Sequence, residues 1–281
     1  MRPLVDLLRV PRYEVIPTPA IAQAILEATE PGEVTITVTA SPVKGLEPTL
    51  ALTERLAGHG YRVVPHLPAR LVVDEVHLKD VVARLKDIGV DDVFVPAGDA
   101  DPPAGTYHGA LDLLVDLTEM GRPFGQVGIT GYPQTHPVIQ DDIVVQSMWD
   151  KRRHASYLVS NLCFDPVTLT RWIHRVRARG VELPLQVGLA GPVDRTRLVT
   201  MAAKIGIGES TRFLGKHYGW FLRFAAPGGY APERLLGRLG PTLVAPASRV
   251  AGLHVFTFNQ VAATQRWRTE VLNRLTGPPA R

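Results

Sequence analysis

A single cysteine, Cys163, in 281 residues excludes an internal disulfide and any multi-cysteine metal site. It also fits a reducing cytosol. Aromatic residues are only 7% of the chain, so a core has to be built mostly from Val, Leu, Ile and Ala. No run approaches the roughly 18 apolar residues of a membrane-spanning helix. The opening stretch MRPLVDLLRVPRYEV carries Asp6 and Pro11 and lacks a signal peptide's long apolar region and small-residue cleavage site. The expected location is the cytoplasm, with no membrane partner. No Lys/Arg block forms a nucleic-acid arm: KRRH at 151–154 is short and reads as part of a helix face. A net charge of +4 says little about anionic partners. There is no G-x-G-x-x-G, no Walker loop, and no H-E-x-x-H to hold a metal.

What is present is a rhythm. Hydrophobic residues are 45% of the chain, enough for one large core or two modest ones. Apolar, β-rich runs alternate with helical patterns. Strands are expected over 13–18, 33–40, 62–67, 92–99, 126–133, 156–164, 183–191 and 253–259. Between the third and fourth, Leu78, Val81, Val82, Leu85 and Ile88 fall at helical spacing, and Gly89 sits where a C-cap glycine belongs. Asp165 and Pro166 read as an N-cap and first helical residue. Leu169, Trp172, Ile173 and Val176 make the apolar face behind them. Residues 203–250 read as irregular, glycine-rich helices. Eight apolar strands, each followed by a helix, indicate a parallel sheet covered on both faces. A single (β/α)8 TIM barrel over 1–281 fits, with extra helices before the eighth strand and peripheral termini at 1–11 and 276–281. A doubly wound open sheet is the alternative, but its usual Gly-rich loop is missing after the first strand.

In such a barrel, strand C-termini build the active face. The polar residues near those ends are Glu14, His66, Asp99, Tyr132, His136, Asn161, Gln186, Thr257 and Asn259. Each has a plain alternative: a side chain facing a helix, a turn or solvent. Glu14 is the sharpest case. A carboxylate among Tyr13, Val15 and Ile16 either reaches the barrel mouth or is buried and paired. Partial desolvation would raise its pKa and let it donate a proton near neutrality.

Taken in order, these segments resemble the methylenetetrahydrofolate reductase family. YEVIP resembles its first-strand aromatic–Glu–aromatic–aromatic–Pro motif. VPHL resembles Pro-His-Leu, AGD the end of Leu-Arg-Gly-Asp, and GYPQTHP the Tyr-Pro-Glu-x-His-Pro turn. NLCFD resembles Gln-Phe-x-Phe-Asp, and HVFTFNQ resembles His-Phe-Tyr-Thr-x-Asn-Arg. The resemblance runs over roughly residues 13 to 275. It implies reduction of 5,10-methylenetetrahydrofolate to 5-methyltetrahydrofolate, and so a place in one-carbon metabolism and methionine biosynthesis. Glu14 matches the general acid that opens the folate ring. Asp99 matches the aspartate beside the pterin. Asn161 stands for a pterin-contacting glutamine, one methylene shorter, and Gln186 is counted with the folate-binding set. Thr39, His66, Tyr132 and His136 match residues near the flavin.

Other flavin positions depart from the family. Its Leu-Arg is Pro96-Ala97 here, its final arginine is Gln260, and no Ala-Gly-Ala follows the DDIVVQSMWDKRRHASYL segment. The expectation is therefore a barrel that does without FAD and takes hydride directly from NADH or NADPH. A conventional FAD enzyme, a deazaflavin-dependent pterin reductase and a folate-binding barrel without catalysis remain the alternatives. Lys44, Arg70, Lys204 and Lys216 are candidates for the folate's glutamate tail. Trp220, Phe221 and Phe224 are candidates for stacking. Solvated charge and lid packing are the plainer accounts of both sets. Cys163 reads as inert core. Oligomeric state and the choice between NADH and NADPH are not legible.

Overall fold

A computed structural model describes residues 2–133, 141–192 and 231–277; side chains are described from Leu4 onward and, in the middle segment, from Gln146. The expected His136, Lys204, Lys216, Trp220, Phe221 and Phe224 lie outside these residues.

Eight parallel strands form a nearly closed barrel: β1 Arg12–Val15, β2 Thr35–Val38, β3 Arg62–Pro65, β4 Asp92–Phe94, β5 Gln126–Gly131, β6 Tyr157–Ser160, β7 Leu185–Ala190 and β8 Val250–Phe256. They are hydrogen-bonded in the order β3-β2-β1-β8-β7-β6-β5-β4. The remaining seam is bridged just past β3, where His66 pairs with Phe94 and the Leu67 N–H donates to the Phe94 carbonyl at 2.8 Å. The chain is thus a (β/α)8 TIM barrel, as its rhythm predicts, and all eight strands lie at the expected places.

Helices α2 Ile21–Ala28, α3 Glu47–Gly58, α4 Glu75–Asp87, α5 Ala110–Glu119, α6 Asp141–Lys151, α7 Pro166–Ala178, α8 Pro232–Val244 and α9 Val261–Thr276 surround it. Local chemistry sets their ends. The Asp165 carboxylate accepts from the N–H groups of Val167 and Thr168, and Pro166 opens α7. Gly89 takes a φ of 75° after α4, where a side chain would be strained. One further helix, α1 Arg2–Arg9, precedes β1 and was not foreseen. Its last carbonyls, of Leu8 and Arg9, accept from the buried Arg268 guanidinium of α9.

Alternation sorts the strand residues. Tyr13, Val15, Ile36 and Val38 face outward into the main core between strands and helices. There the Tyr13 hydroxyl reaches Gln265 of α9 at 2.9 Å. Arg12, Glu14, Thr37 and His66 face inward, above and below a small inner cluster of Val64, Phe94, Tyr157 and Val159. Each fully buried leucine or isoleucine in the outer core contributes about 1.5–3 kcal/mol.

Candidate active site

The mouth of the barrel is organised around Glu14. Register places it beside Thr37 of β2 and Phe256 of β8. Its Oε2 lies 2.9 Å from His254 Nε2, a hydrogen bond between β1 and β8. His66 Nε2, from the end of β3, lies 3.9 Å from the same oxygen, beyond hydrogen-bonding distance. The His66 ring leans on Phe94 at 4.7 Å, and the His254 ring on Phe256 at 4.9 Å. Glu14 therefore sits in a half-apolar cup with two imidazoles aimed into it.

Its proton affinity departs from the expectation. Burial pushes the Glu14 carboxyl up, as predicted. The hydrogen bond and positive charge of His254, with a further contribution from His66, outweigh it, and the net direction is down. Burial drives His66 down to about 4, against the pull of Glu14 and with the help of His254. His66 is thus neutral near pH 7, and His254 is the partner that matters there. A raised Glu14 would follow if it stood alone. The sequence reading missed the partner that lowers it.

Three buried polar atoms at this site have no hydrogen-bond partner among the described residues: Thr37 Oγ1, His66 Nε2 and His254 Nδ1. Each such orphan costs about 1–3 kcal/mol. Concentration of unsatisfied groups around one carboxylate is the mark of a site built for something other than stability.

The rim carries the other expected residues. Asp99 is exposed, in the loop after β4. Gly98 turns the chain there with a φ of 88°, and a Cβ on it would meet the Cβ of Pro68 at 2.8 Å, so only glycine fits. Tyr132, at the end of β5, is close enough to feel Asp99. Burial and then the Asp99 charge raise its phenol, against a hydrogen bond with Thr130. Thr39 continues the inward side of β2 past Thr37; its N–H donates to the Val15 carbonyl at 2.9 Å and its own carbonyl accepts from Thr49 Oγ1 at 2.7 Å. Asn161 turns its Oδ1 onto its neighbour's backbone, accepting from Leu162 N at 2.8 Å. Gln186 enters lower, packed over Gly252, whose missing side chain leaves it room. The structure thus brings Glu14 and His66 together, sets Asp99 and Tyr132 within electrostatic reach of each other, and leaves Gln186 nearer the floor. Thr257 and Asn259 clamp β1: Thr257 Oγ1 donates to the Glu14 carbonyl at 2.6 Å, and Asn259 brackets Ile16 with bonds of 2.8 and 2.9 Å.

Arg70 has a structural task. Its Nε donates to the Ala100 carbonyl at 2.7 Å and its fork reaches Asp101 at 3.3 Å, bracing the Asp99 loop. Cys163 is buried, with its thiol 3.4 Å from the Asp165 carbonyl. Among the described residues no group of His, Cys, Asp and Glu is placed to hold a metal, and no helix is long and apolar enough to cross a membrane.

A family model described as methylenetetrahydrofolate reductase matches residues 19–207. Among solved structures, oxaloacetate acetylhydrolase with 3,3-difluorooxaloacetate is 12% identical, with a TM-score of 0.48, covering 86% of this chain and 92% of that one. A phosphonomutase-like protein of Burkholderia cenocepacia is also 12% identical, with a TM-score of 0.45 over 80% and 98% of the two chains. Muconate lactonizing enzyme from Pseudomonas putida gives 12% identity and a TM-score of 0.38 over 64% of this chain and 46% of that one. These three likenesses carry no functional argument.

Proposed function

The chain belongs to the methylenetetrahydrofolate reductase family, and on that premise we propose that it reduces 5,10-methylenetetrahydrofolate to 5-methyltetrahydrofolate. The observation that carries this reading is Glu14, an ionisable carboxyl at the barrel mouth, inward-facing and held by an imidazole at 2.9 Å. Ring opening at the folate's N10 needs a positioned acid, and this is the side chain placed to be one. Asp99 at the rim favours the cationic iminium that ring opening leaves. Tyr132 and Thr39 line the same opening. Asn161 and Gln186 complete the folate-binding set, Asn161 through its amide nitrogen since its oxygen is engaged.

The family uses a flavin and a pyridine nucleotide. A donor without flavin is supported here by the residues around the fourth-strand loop. Where the family has Leu-Arg, the Pro96 and Ala97 carbonyls accept from Ala69 N and Arg70 N, both at 3.0 Å. The basic side chain of that turn, Arg70, is engaged with Ala100 and Asp101. His66, a flavin candidate by resemblance, turns its Nε2 toward Glu14. The described residues thus offer poor purchase for a dinucleotide's pyrophosphate, and NADH or NADPH supplies hydride directly to the iminium carbon. Tyr132 faces the nicotinamide in this arrangement.

The test is a visible spectrum of the purified protein, then anaerobic NADH or NADPH oxidation with methylenetetrahydrofolate, with and without FAD. Turnover by colourless protein without FAD is the expected result. Strict dependence on FAD overturns the direct transfer and keeps the reductase. No turnover with any donor, a deazaflavin included, overturns the reductase.

A further inference from the structure

The orphaned atoms around Glu14 leave one question that the family reading does not answer. An acid must hold a proton when its substrate arrives, yet this carboxyl is held low by its surroundings. Glu14 is faced by Thr37 from β2, His66 from β3 and His254 from β8. Arg12, two residues below it on β1, is already paired with Asp92 at 2.9 Å. His66 stands 3.9 Å away, too far to pass a proton directly. Among the described residues His254 alone is in hydrogen-bond contact with the carboxylate, and its ring is only 2% exposed. Its other nitrogen, Nδ1, meets no partner among the described residues. Among the described residues, no backbone carbonyl or carboxylate therefore fixes the ring's tautomer from behind. Such a second contact is what usually sets which ring nitrogen carries the proton. Without it, nothing among the described residues ties Nε2 to a single role in its contact with Glu14.

We propose that Glu14 and His254 act as a dyad holding one proton between them, and that His254 is the positioning residue that arms Glu14. In the open site the proton rests on Nε2 and the carboxylate accepts it as a hydrogen bond. Folate binding displaces water from the mouth, and a low dielectric disfavours the separated charges. The Nε2–H bond breaks as the Oε2–H bond forms, leaving a neutral imidazole and a neutral acid. Glu14 then gives that proton to N10 as the C–N10 bond breaks, and its carboxylate returns. Hydride from NAD(P)H completes the methyl group. One proton from solvent reloads the pair, as the overall stoichiometry requires. The inference rests on the reductase reading for its acceptor, but the shared proton belongs to the free protein.

The experiment therefore has two arms. In the first, with no substrate, carbon-13 NMR follows the Glu14 carboxyl through a pH titration in the native protein and in His254→Gln. Gln keeps a donor within reach but carries no charge. The Glu14 transition should move up by at least about one pH unit in the variant, since burial is then opposed only by the amide donor and by His66, without the charge of His254. The native protein should also show a slowly exchanging, downfield imidazole proton assigned to His254 Nε2. An unmoved Glu14 transition together with the absence of that proton overturns the dyad, whatever the enzyme does. In the second arm, kcat for methylenetetrahydrofolate should fall by about 10²-fold in His254→Gln with KM little changed, across the pH range. If Glu14 worked alone, a higher-pH transition would leave it better protonated, and the rate at neutral pH would hold or rise; that outcome overturns the arming role. A native protein without turnover sinks the reductase reading instead, while the first arm still decides whether the two side chains share a proton.

Discussion

Among the described residues two charged clusters sit inside this barrel, and β1 contributes to both. At the floor, Arg12 donates to Tyr157 at 2.8 Å and to Asp92 at 2.9 Å, and the Tyr157 hydroxyl donates to the other Asp92 oxygen at 2.7 Å. The Arg12 guanidinium also lies over the Tyr157 ring at 4.3 Å. Two residues further along, Glu14 has one hydrogen bond to its carboxylate and a ring of unpartnered neighbours. Burial is similar in the two places. What differs is satisfaction. None of the floor's side chains is among the unpartnered buried atoms, so its charges lock side chains from three strands into one arrangement. Among the described residues the mouth leaves polar atoms unmet, which is tolerable where a ligand or water is to meet them. The contrast separates a structural charge from a functional one without any appeal to which residue types are involved.

The sharpest way to break this contrast is to remove one charge from each cluster. Glu14→Gln should lower kcat by about 10²–10⁴-fold while the protein folds as before. Steady-state rates beside a urea melt check both halves; a fold-limited loss would place Glu14 with the floor. Asp92→Ala should do the reverse. It strands a mostly buried guanidinium, at a cost of about 3–5 kcal/mol, while the molecules that remain folded keep their kcat. If Asp92→Ala melts like the native protein, the floor is not the lock its geometry indicates.

A smaller effect distinguishes the clusters by pH. His66 is held down to about 4 in the folded protein, against an ordinary value of 6.5. Its folded-state pKa is depressed, so its contribution is complete above 6.5 and is lost as pH falls toward 4. The depressed Glu14 carboxyl acts in the same direction at still lower pH. His66 alone should account for about 2–3 kcal/mol of the loss between those pH values. His66→Gln should flatten that part of a pH series of urea midpoints. An unchanged slope would mean that His66 is solvated or protonated in the native mouth.

Much of the fold is written locally. Each strand is a short apolar run, and helices α4 and α7 carry local signals of their own, the first at Gly89 and the second at Asp165. That is why all eight strands were legible from the chain alone. Glu14 was legible too, because a carboxylate inside so apolar a strand is conspicuous by itself. His254 was not. Its segment was read as a motif, but its partnership with Glu14 depends on the register between the first and last strands, 240 residues apart. Arg12 and Asp92 were missed for the same reason: 80 residues separate them, and neither is unusual where it stands. The one available signal is period two, since Arg12 shares an inward face with Glu14, and His254 one with Phe256. The direction of the Glu14 shift departs from the expectation on this point, because burial is visible in one strand and a partner on the neighbouring strand β8 is not. Helix α1 was unread because its outer face is ordinary and its C-terminal cap comes from Arg268, far along the chain.

The mouth also depends on a support that is itself well bonded, and this gives the finest test. Asn259 follows β8 with a φ of 57°, a left-handed conformation that asparagine adopts more readily than most residues. Its Oδ1 accepts from Ile16 N and its Nδ2 donates to Ile16 O, so one side chain replaces the next ladder step beyond Glu14. Asn259→Ala removes both bonds and asks a residue with a Cβ but no polar group to keep the strained backbone. The expected cost is about 1–2 kcal/mol in a urea melt, less than that of Asp92→Ala. Its effect on rate should exceed that of Asp92→Ala, with kcat falling about 10-fold, since a slackened end of β1 lets Glu14 drift from its partner and its target. A variant as fast as the native protein would show that the mouth holds its acid through His254 and Thr257 alone, and that the clamp beyond them belongs with the floor.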